Sequence, residues 1–341
     1  MSRIPSIEEL TGEGVNDTRY VDQRHTFLLP TTRVSFANDT RGVDVSIVTV
    51  CFNPLAAGRK ELLLKNLDSV QAQQGICLEH LIIDGASTDG TTEWLRGYNN
   101  TNHDIRILSK SDSGIYEAMN RGIALAQGKY IVFLNSDDFF HDARGMAASV
   151  ERIEELQCDF SFAPIRFSDP SIRHNPQLAP QRRLYRFLVS WSFSHQSMLA
   201  SRSLLQSLDG FDTSYRSAGD YDLLLRMIGA GAKGCFVPLT FSTFTIGGFS
   251  FSEENAKLIE EESIRCLQRF YKDFYSVEMT CDEVKYIIDR RVYPRKYLDI
   301  YKQMQRLIRE RFIGIPKGPM MWLSRWFNYI KYYLKCLNSN I

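Results

Sequence analysis

The sequence predicts an α/β fold: a mostly parallel, doubly wound sheet flanked by helices, followed by a helical C-terminal extension. Three observations predict it. Val45-Ser-Ile-Val-Thr-Val-Cys-Phe52 is a β-rich apolar run closed by Asn53-Pro54, as a buried parallel strand requires. Strand-like and helix-like segments then alternate as far as Leu134. Two acidic clusters, Asp84 to Asp89 and Asp137-Asp138, follow apolar strands, at the carboxyl edge where such sheets bind ligands.

Residues 1–42 are polar and lack sustained periodicity, so a loosely structured extension is expected there. After the first strand, Leu62, Leu63, Leu67 and Val70 share one face of a helix expected from about Arg59 to Gln74. A strand follows at Leu78 to Ile83, a helix from Thr91, a strand at Ile105 to Leu108, a helix at Ile115 to Gln127 and a strand at Tyr130 to Leu134. Beyond Asp159 the pattern turns irregular, with prolines in loops, an aromatic segment from Trp191 to His195, and a helix entered through Gly219-Asp220-Tyr221-Asp222. Residues 253–275 read as one amphipathic helix with acids at its start, where the helix dipole favours them. The expected divisions are an extension over 1–42, a core domain over 43–250 and a helical, basic region over 251–341.

A chain of 341 residues with 44% hydrophobic and 24% charged residues can bury one sizeable core and is neither disordered, collagen-like nor a disulfide scaffold. Its seven cysteines are scattered without zinc-site or redox spacing, so reduced thiols in a cytoplasmic protein are expected. The N-terminal stretch MSRIPSIEELTGEG lacks the apolar run of a signal peptide, and no segment reaches the ~18 apolar residues that span a bilayer. The net charge of +1 hides an asymmetry: residues 281–341 carry 13 Lys and Arg against 5 Asp and Glu, leaving 28 against 35 before them. Within this tail, Met320 to Leu337 sets Trp322, Trp326, Ile330, Tyr333 and Leu337 on one side and Arg325, Lys331 and Lys335 on another. That is the pattern of a basic helix lying in a membrane interface, although a helix packed on the core or at a dimer contact reads the same way. No nucleic-acid partner is expected.

Asp137-Asp138 closes the apolar strand Ile131 to Leu134 and places two carboxylates side by side. A cation that joins them relieves their repulsion, and Mg2+ or Mn2+ binds through one or two carboxylates plus substrate phosphates. Asp84 also ends an apolar strand; it either caps the next helix or accepts the imide N–H of a uracil or thymine base. Asp89-Gly90-Thr91 superficially resembles the phosphoaspartyl phosphatases, but Asp89 lies five residues beyond the strand and reads as a helix cap. Asp220 opens an apolar helix, as a cap or as a carboxylate that accepts a proton from an attacking hydroxyl.

Four motifs occur in order: Val45 to Asn53; Ile83-Asp-Gly-Ala-Ser-Thr-Asp-Gly-Thr91; Asp112-Ser-Gly-Ile-Tyr-Glu-Ala-Met-Asn-Arg-Gly122; and Ala126-Gln-Gly-Lys-Tyr-Ile-Val-Phe-Leu-Asn-Ser-Asp-Asp138. Together they resemble the family 2 glycosyltransferases of GT-A fold over roughly residues 43–250, and in particular bacterial members that build capsule, O-antigen and exopolysaccharide units. The resemblance implies a nucleotide-sugar half over 43–140 and an acceptor half over 141–250. It implies that Phe52 stacks on the base, Asp84 reads it, Asp137 lies near ribose and phosphate, Asp138 is the principal ligand of Mn2+ or Mg2+, and Asp220 is the general base. His195 and Gln196 are expected at the acceptor or diphosphate, or as structural residues. Asn135 stands where the family often has Asp, and Gly219 where many members have Glu. The Gln-x-x-Arg-Trp motif of the processive synthases is missing, which favours transfer of a single sugar.

The implied reaction is an inverting displacement from a UDP- or dTDP-sugar onto an acceptor hydroxyl, with a glycan or polyprenyl-diphosphate-linked acceptor at the inner face of the plasma membrane. Two rivals remain. A nicotinamide-dependent dehydrogenase would need a G-x-G-x-x-G turn after the first strand, where this chain has Asn53-Pro-Leu-Ala-Ala-Gly58. A catalytically silent nucleotide-sugar-binding or scaffold protein would not need both Asp138 and Asp220.

Overall fold

The computed structural model describes residues 4–6, 9–10, 42–99, 105–169, 194–248, 253–290 and 293–313. Val45–Cys51 (β1) is buried at all positions, the signature of a strand covered on both faces. It runs parallel to Leu78–Asp84 (β2) on one side and Tyr130–Phe133 (β4) on the other, and Ile105–Ser109 (β3) extends the parallel array beyond β2. Lys60–Gln71 (α1), Thr91–Asn99 (α2) and Ile115–Leu125 (α3) are the intervening helices. α1 ends three residues, and α3 two residues, earlier than the apolar pattern suggests.

The region beyond Asp159, expected to be irregular, completes the sheet. Phe160–Phe162 (β6), Met198–Ser201 (β8), Gly234–Phe236 (β9) and Phe312–Ile313 (β11) extend it to eight strands in the order β11-β9-β6-β8-β4-β1-β2-β3. The strand β8 is antiparallel to β4 and to β6, and the other pairs are parallel. Phe139–Phe140 (β5), Ile165–Phe167 (β7) and Ser242–Phe244 (β10) make a second sheet of three strands over the carboxyl edge. Most of these strands have only two or three residues, too few to display a period, and their partners lie far away in sequence, so local pattern does not reveal them.

Gly145–Leu156 (α4), Arg202–Ser207 (α5) and Gly219–Gly229 (α6) precede Glu253–Tyr275 (α7), Cys281–Arg290 (α8) and Leu298–Arg311 (α9). The described part of the C-terminal region is helical and shares its core with the sheet. Leu267, Phe270 and Tyr271 of α7, Val284 and Ile287 of α8 and Ile308 of α9 join one buried cluster with Phe133, Leu223 and Met227. Full burial of one such aliphatic or aromatic side chain contributes roughly 1.5–3 kcal/mol. Glu262 of α7 adds a polar clamp, accepting backbone N–H bonds from Arg216 (2.8 Å), Ser217 (2.8 Å) and Ala218 (2.9 Å) at the entry to α6. Among the described residues no helix is long and apolar enough to cross a membrane. The basic segment Met320 to Leu337 and the extension from residue 11 to 41 lie outside the described residues.

Candidate active site

The carboxyl ends of β1 and β4 face a cleft of about 660 Å³ lined by Phe52, Asp112, Tyr116, Asp137, Asp138, His195 and Asp220, among others. Phe52, immediately after β1, is 66% exposed, and its presentation is fixed by two cross-tied loops. Asn53, with a left-handed φ of 47°, takes a 2.8 Å bond from its backbone N–H to Ser87 Oγ and accepts Thr88 N–H on its side chain at 2.8 Å. Asp89 joins the same loops, accepting from Ala56 N–H (2.8 Å) and from Thr91 N–H (3.1 Å), so it holds the start of α2 as expected and the loop after β1 as well.

Asp84 is not brought to the cleft. It is fully buried and accepts from Ser87 N–H (3.0 Å), Ser87 Oγ (2.5 Å), Thr92 Oγ1 (3.1 Å) and Ser109 Oγ (2.6 Å), with Cys51 Sγ at 3.6 Å. A carboxylate offers about four acceptor directions, so these donors leave nothing for a base. The base-reading role expected of Asp84 is therefore corrected: it buttresses the loop behind Phe52.

Asp137 and Asp138 do share the cleft, on a loop that Asn66 of α1 grips by donating to the carbonyls of Asn135 and Asp138, both at 2.9 Å. Asp137 Oδ2 pairs with Arg59 at 2.7 Å, and Arg59 also donates to the Gly247 carbonyl at 2.8 Å. Asp138 is 1% exposed, with Oδ1 accepting from Thr245 N–H (2.8 Å) and Oδ2 from Gln196 Nε2 (2.6 Å). Burial, reinforced by the charge of Asp137, pushes the Asp138 carboxyl up to about 7. Burial raises Asp137 also, against the opposing charge of Arg59. Gln196 is fully buried behind Asp138 and does not line the cleft, so its expected contact with acceptor or diphosphate gives way to a positioning role.

No group of three His, Cys, Asp or Glu side chains able to hold a metal occurs among the described residues. A hard cation that keeps substrate phosphates among its ligands does not need one. The donors present fit such an ion: two adjacent carboxylates with acceptor directions to spare, and Asn135 Oδ1, buried without a partner among the described residues.

Asp220 sits in the first turn of α6, 7% exposed. Its Oδ1 accepts from Tyr221 N–H at 2.9 Å and Tyr116 Oη at 3.3 Å, and its Oδ2 lies 3.2 Å from His195 Nδ1. Tyr116 Oη has one proton, which it shares between this carboxylate and the Ser217 carbonyl at 2.7 Å, the shorter of the two contacts. Gly219 is the residue this packing requires, since a Cβ there would stand 2.7 Å from the Tyr116 ring.

This chain matches the description "Glycosyl transferase family 2" over residues 46–207. It is 30% identical over 203 residues to an uncharacterised glycosyltransferase of Mycobacterium tuberculosis, covering 55% of this chain and 70% of that protein. The chain belongs to glycosyltransferase family 2. A PGL/p-HBAD biosynthesis glycosyltransferase of Mycobacterium bovis is 28% identical over 162 residues, 47% of this chain, and the chain spans 62% of that relative's length. The structure of S. aureus TarS 1–349 superimposes with a TM-score of 0.53 at 16% identity, covering 73% of this chain and 71% of that one; in complex with UDP-GlcNAc the TM-score is 0.50, with 77% and 79% covered. These neighbours share the GT-A fold.

Of the residues the sequence singles out in this family 2 chain, Phe52, Asp137, Asp138, His195 and Asp220 line the cleft; Arg59, Tyr116 and Thr245 line it too and Asn66 grips its loop, and the sequence pattern marks none of these four as site residues. Tyr116 stood inside a quoted motif, and its signal was an aromatic residue just after a Ser-Gly turn at a strand end. Thr245 acts through its backbone, which no side-chain pattern marks.

Proposed function

We propose that the protein transfers a single sugar, with inversion, from a UDP- or dTDP-sugar to an acceptor hydroxyl in the biosynthesis of a cell-surface polysaccharide. The observation that carries this reading is that one cleft is lined at once by an exposed aromatic ring, an adjacent pair of acids and a separate, buried-edge acid: Phe52, Asp137-Asp138 and Asp220. TarS, which shares the fold, has been captured with UDP-GlcNAc, and this supports a uridine donor.

In this reading residues 43–140 form the donor half and 141–250 the acceptor half. Phe52 stacks on the base, and Asp137 and Asp138, with Asn135 Oδ1, would hold Mn2+ or Mg2+. Such a cation, when bound, would supply Lewis-acid neutralisation of diphosphate charge. Asp220 takes the proton of the acceptor hydroxyl while that oxygen bonds to the anomeric carbon and the nucleoside diphosphate leaves from the opposite side. His195 and Tyr116 fix the carboxylate of Asp220.

The acceptor in this proposal is a glycan on a polyprenyl diphosphate at the cytoplasmic face of the plasma membrane. The basic, aromatic pattern of Met320 to Leu337 supports it, since each Lys or Arg near an anionic leaflet contributes about 1 kcal/mol. Deletion of residues 319–341 should abolish flotation with anionic liposomes while sparing activity on a soluble acceptor analogue; equal flotation of both forms rejects the membrane arm. For the reaction itself, purified protein with Mn2+ and a UDP-sugar panel should release nucleotide only when acceptor is present. Donor binding without turnover on any acceptor supports instead the silent binding protein.

A further inference from the structure

We infer that Asp112, and not Asp84, reads the base of the donor, and that its carboxylate selects bases carrying an N–H at the imide position. The inference rests on the nucleotide-sugar reading of this cleft and names a specificity residue within it. Phe52, Gly85 and Asp112 follow three neighbouring parallel strands at their carboxyl ends: Cys51 and Asp84 are register partners, and Asp84 pairs in turn with Ser109. The three meet at one point. A Cβ built on Gly85 would lie 2.9 Å from Asp112 Oδ2 and 3.3 Å from Phe52 Cδ2, so the missing side chain of Gly85 leaves room for that carboxylate beside the ring.

Asp112 has the chemistry as well as the place. It lines the cleft, as Asp84 does not. Its Oδ1 accepts Gly114 N–H at 3.0 Å, which fixes the side chain and leaves Oδ2 to accept from a ligand. A base stacked on the exposed ring of Phe52 turns its edge toward this corner. Uracil and thymine present an N3–H there, which a carboxylate accepts; cytosine presents a lone pair at N3, which a carboxylate repels.

The test is calorimetric binding of UDP and CDP in Mn2+ to the full chain, its Asp112→Asn variant and its Phe52→Ala variant. The asparagine retains an oxygen for Gly114 N–H, so the loop is preserved, and thermal melting checks the fold. The wild type should prefer UDP over CDP by about tenfold or more, the scale of a charge-assisted hydrogen bond. Asp112→Asn should lose about tenfold for UDP and bring the two affinities level, because an amide satisfies the cytosine edge. An unchanged UDP:CDP ratio in Asp112→Asn, with UDP still weakened by Phe52→Ala, overturns the role of Asp112 and leaves the nucleotide-sugar reading standing. Failure of the wild type to bind any nucleoside diphosphate overturns both.

Discussion

Gln196 Nε2 donates a 2.6 Å hydrogen bond to Asp138 Oδ2, joining the segment before β8 to the acid pair after β4. Replacing Gln196 with Ala leaves one oxygen of a buried carboxylate without its donor, at a cost of about 1–3 kcal/mol. Urea denaturation should show that loss, and calorimetry should show weaker nucleotide binding in Mn2+. Wild-type values for both would mean that Gln196 is not what holds Asp138.

Asp220→Asn keeps the shape of the side chain and its bond from Tyr221 N–H but cannot take a proton. Turnover should fall by ~10² to 10⁴ while donor affinity stays within about twofold. Near-normal turnover removes Asp220 from the base role.

Gly219→Ala tests the packing that aims this base. The new Cβ meets the Tyr116 ring at 2.7 Å. Overpacking of this kind costs about 1–3 kcal/mol, and displacement of Tyr116 also loosens Asp220. The melting temperature and turnover should both drop; an unchanged melting temperature would show that the ring moves aside freely.

His80 gives the fold a pH dependence of its own. Buried on β2 with Nε2 2.9 Å from Thr49 Oγ1, it is held neutral by burial, its pKa lowered to about 3. The unfolded chain, with an ordinary value of about 6.5, binds the extra proton between those limits, so stability is full above about 6.5 and is lost as pH falls toward 3. From pH 7 to pH 5 the loss from this group is about 2 kcal/mol. His80→Gln should flatten the slope of stability against pH by that amount, and an identical slope would show that His80 titrates normally.

The sequence made the first half of the fold legible because β1 to β4 are four to seven residues long and alternate with helices that carry a clear apolar face. The second half stayed hidden because β6, β8 and β9 are short and find their partners across the chain, and because β8 runs against the parallel pattern. At the site, Asp137 and Asp138 were visible as acids after the apolar strand β4, and Asp220 as an acid opening an apolar helix. The same rule misplaced Asp84: position at a strand end says nothing of whether Ser87, Thr92 and Ser109 will converge on the carboxylate and withdraw it from the cleft.

Cation-supported donor binding at Asp137 and Asp138 is tested most directly by titration of a UDP-sugar panel into wild type and Asp138→Ala, with Mn2+ and with a chelator. At least one UDP-sugar should bind the wild type in Mn2+, weaken sharply in chelator, and bind Asp138→Ala equally weakly in both. Equal affinity of the two proteins in Mn2+, or binding indifferent to the cation, would contradict it.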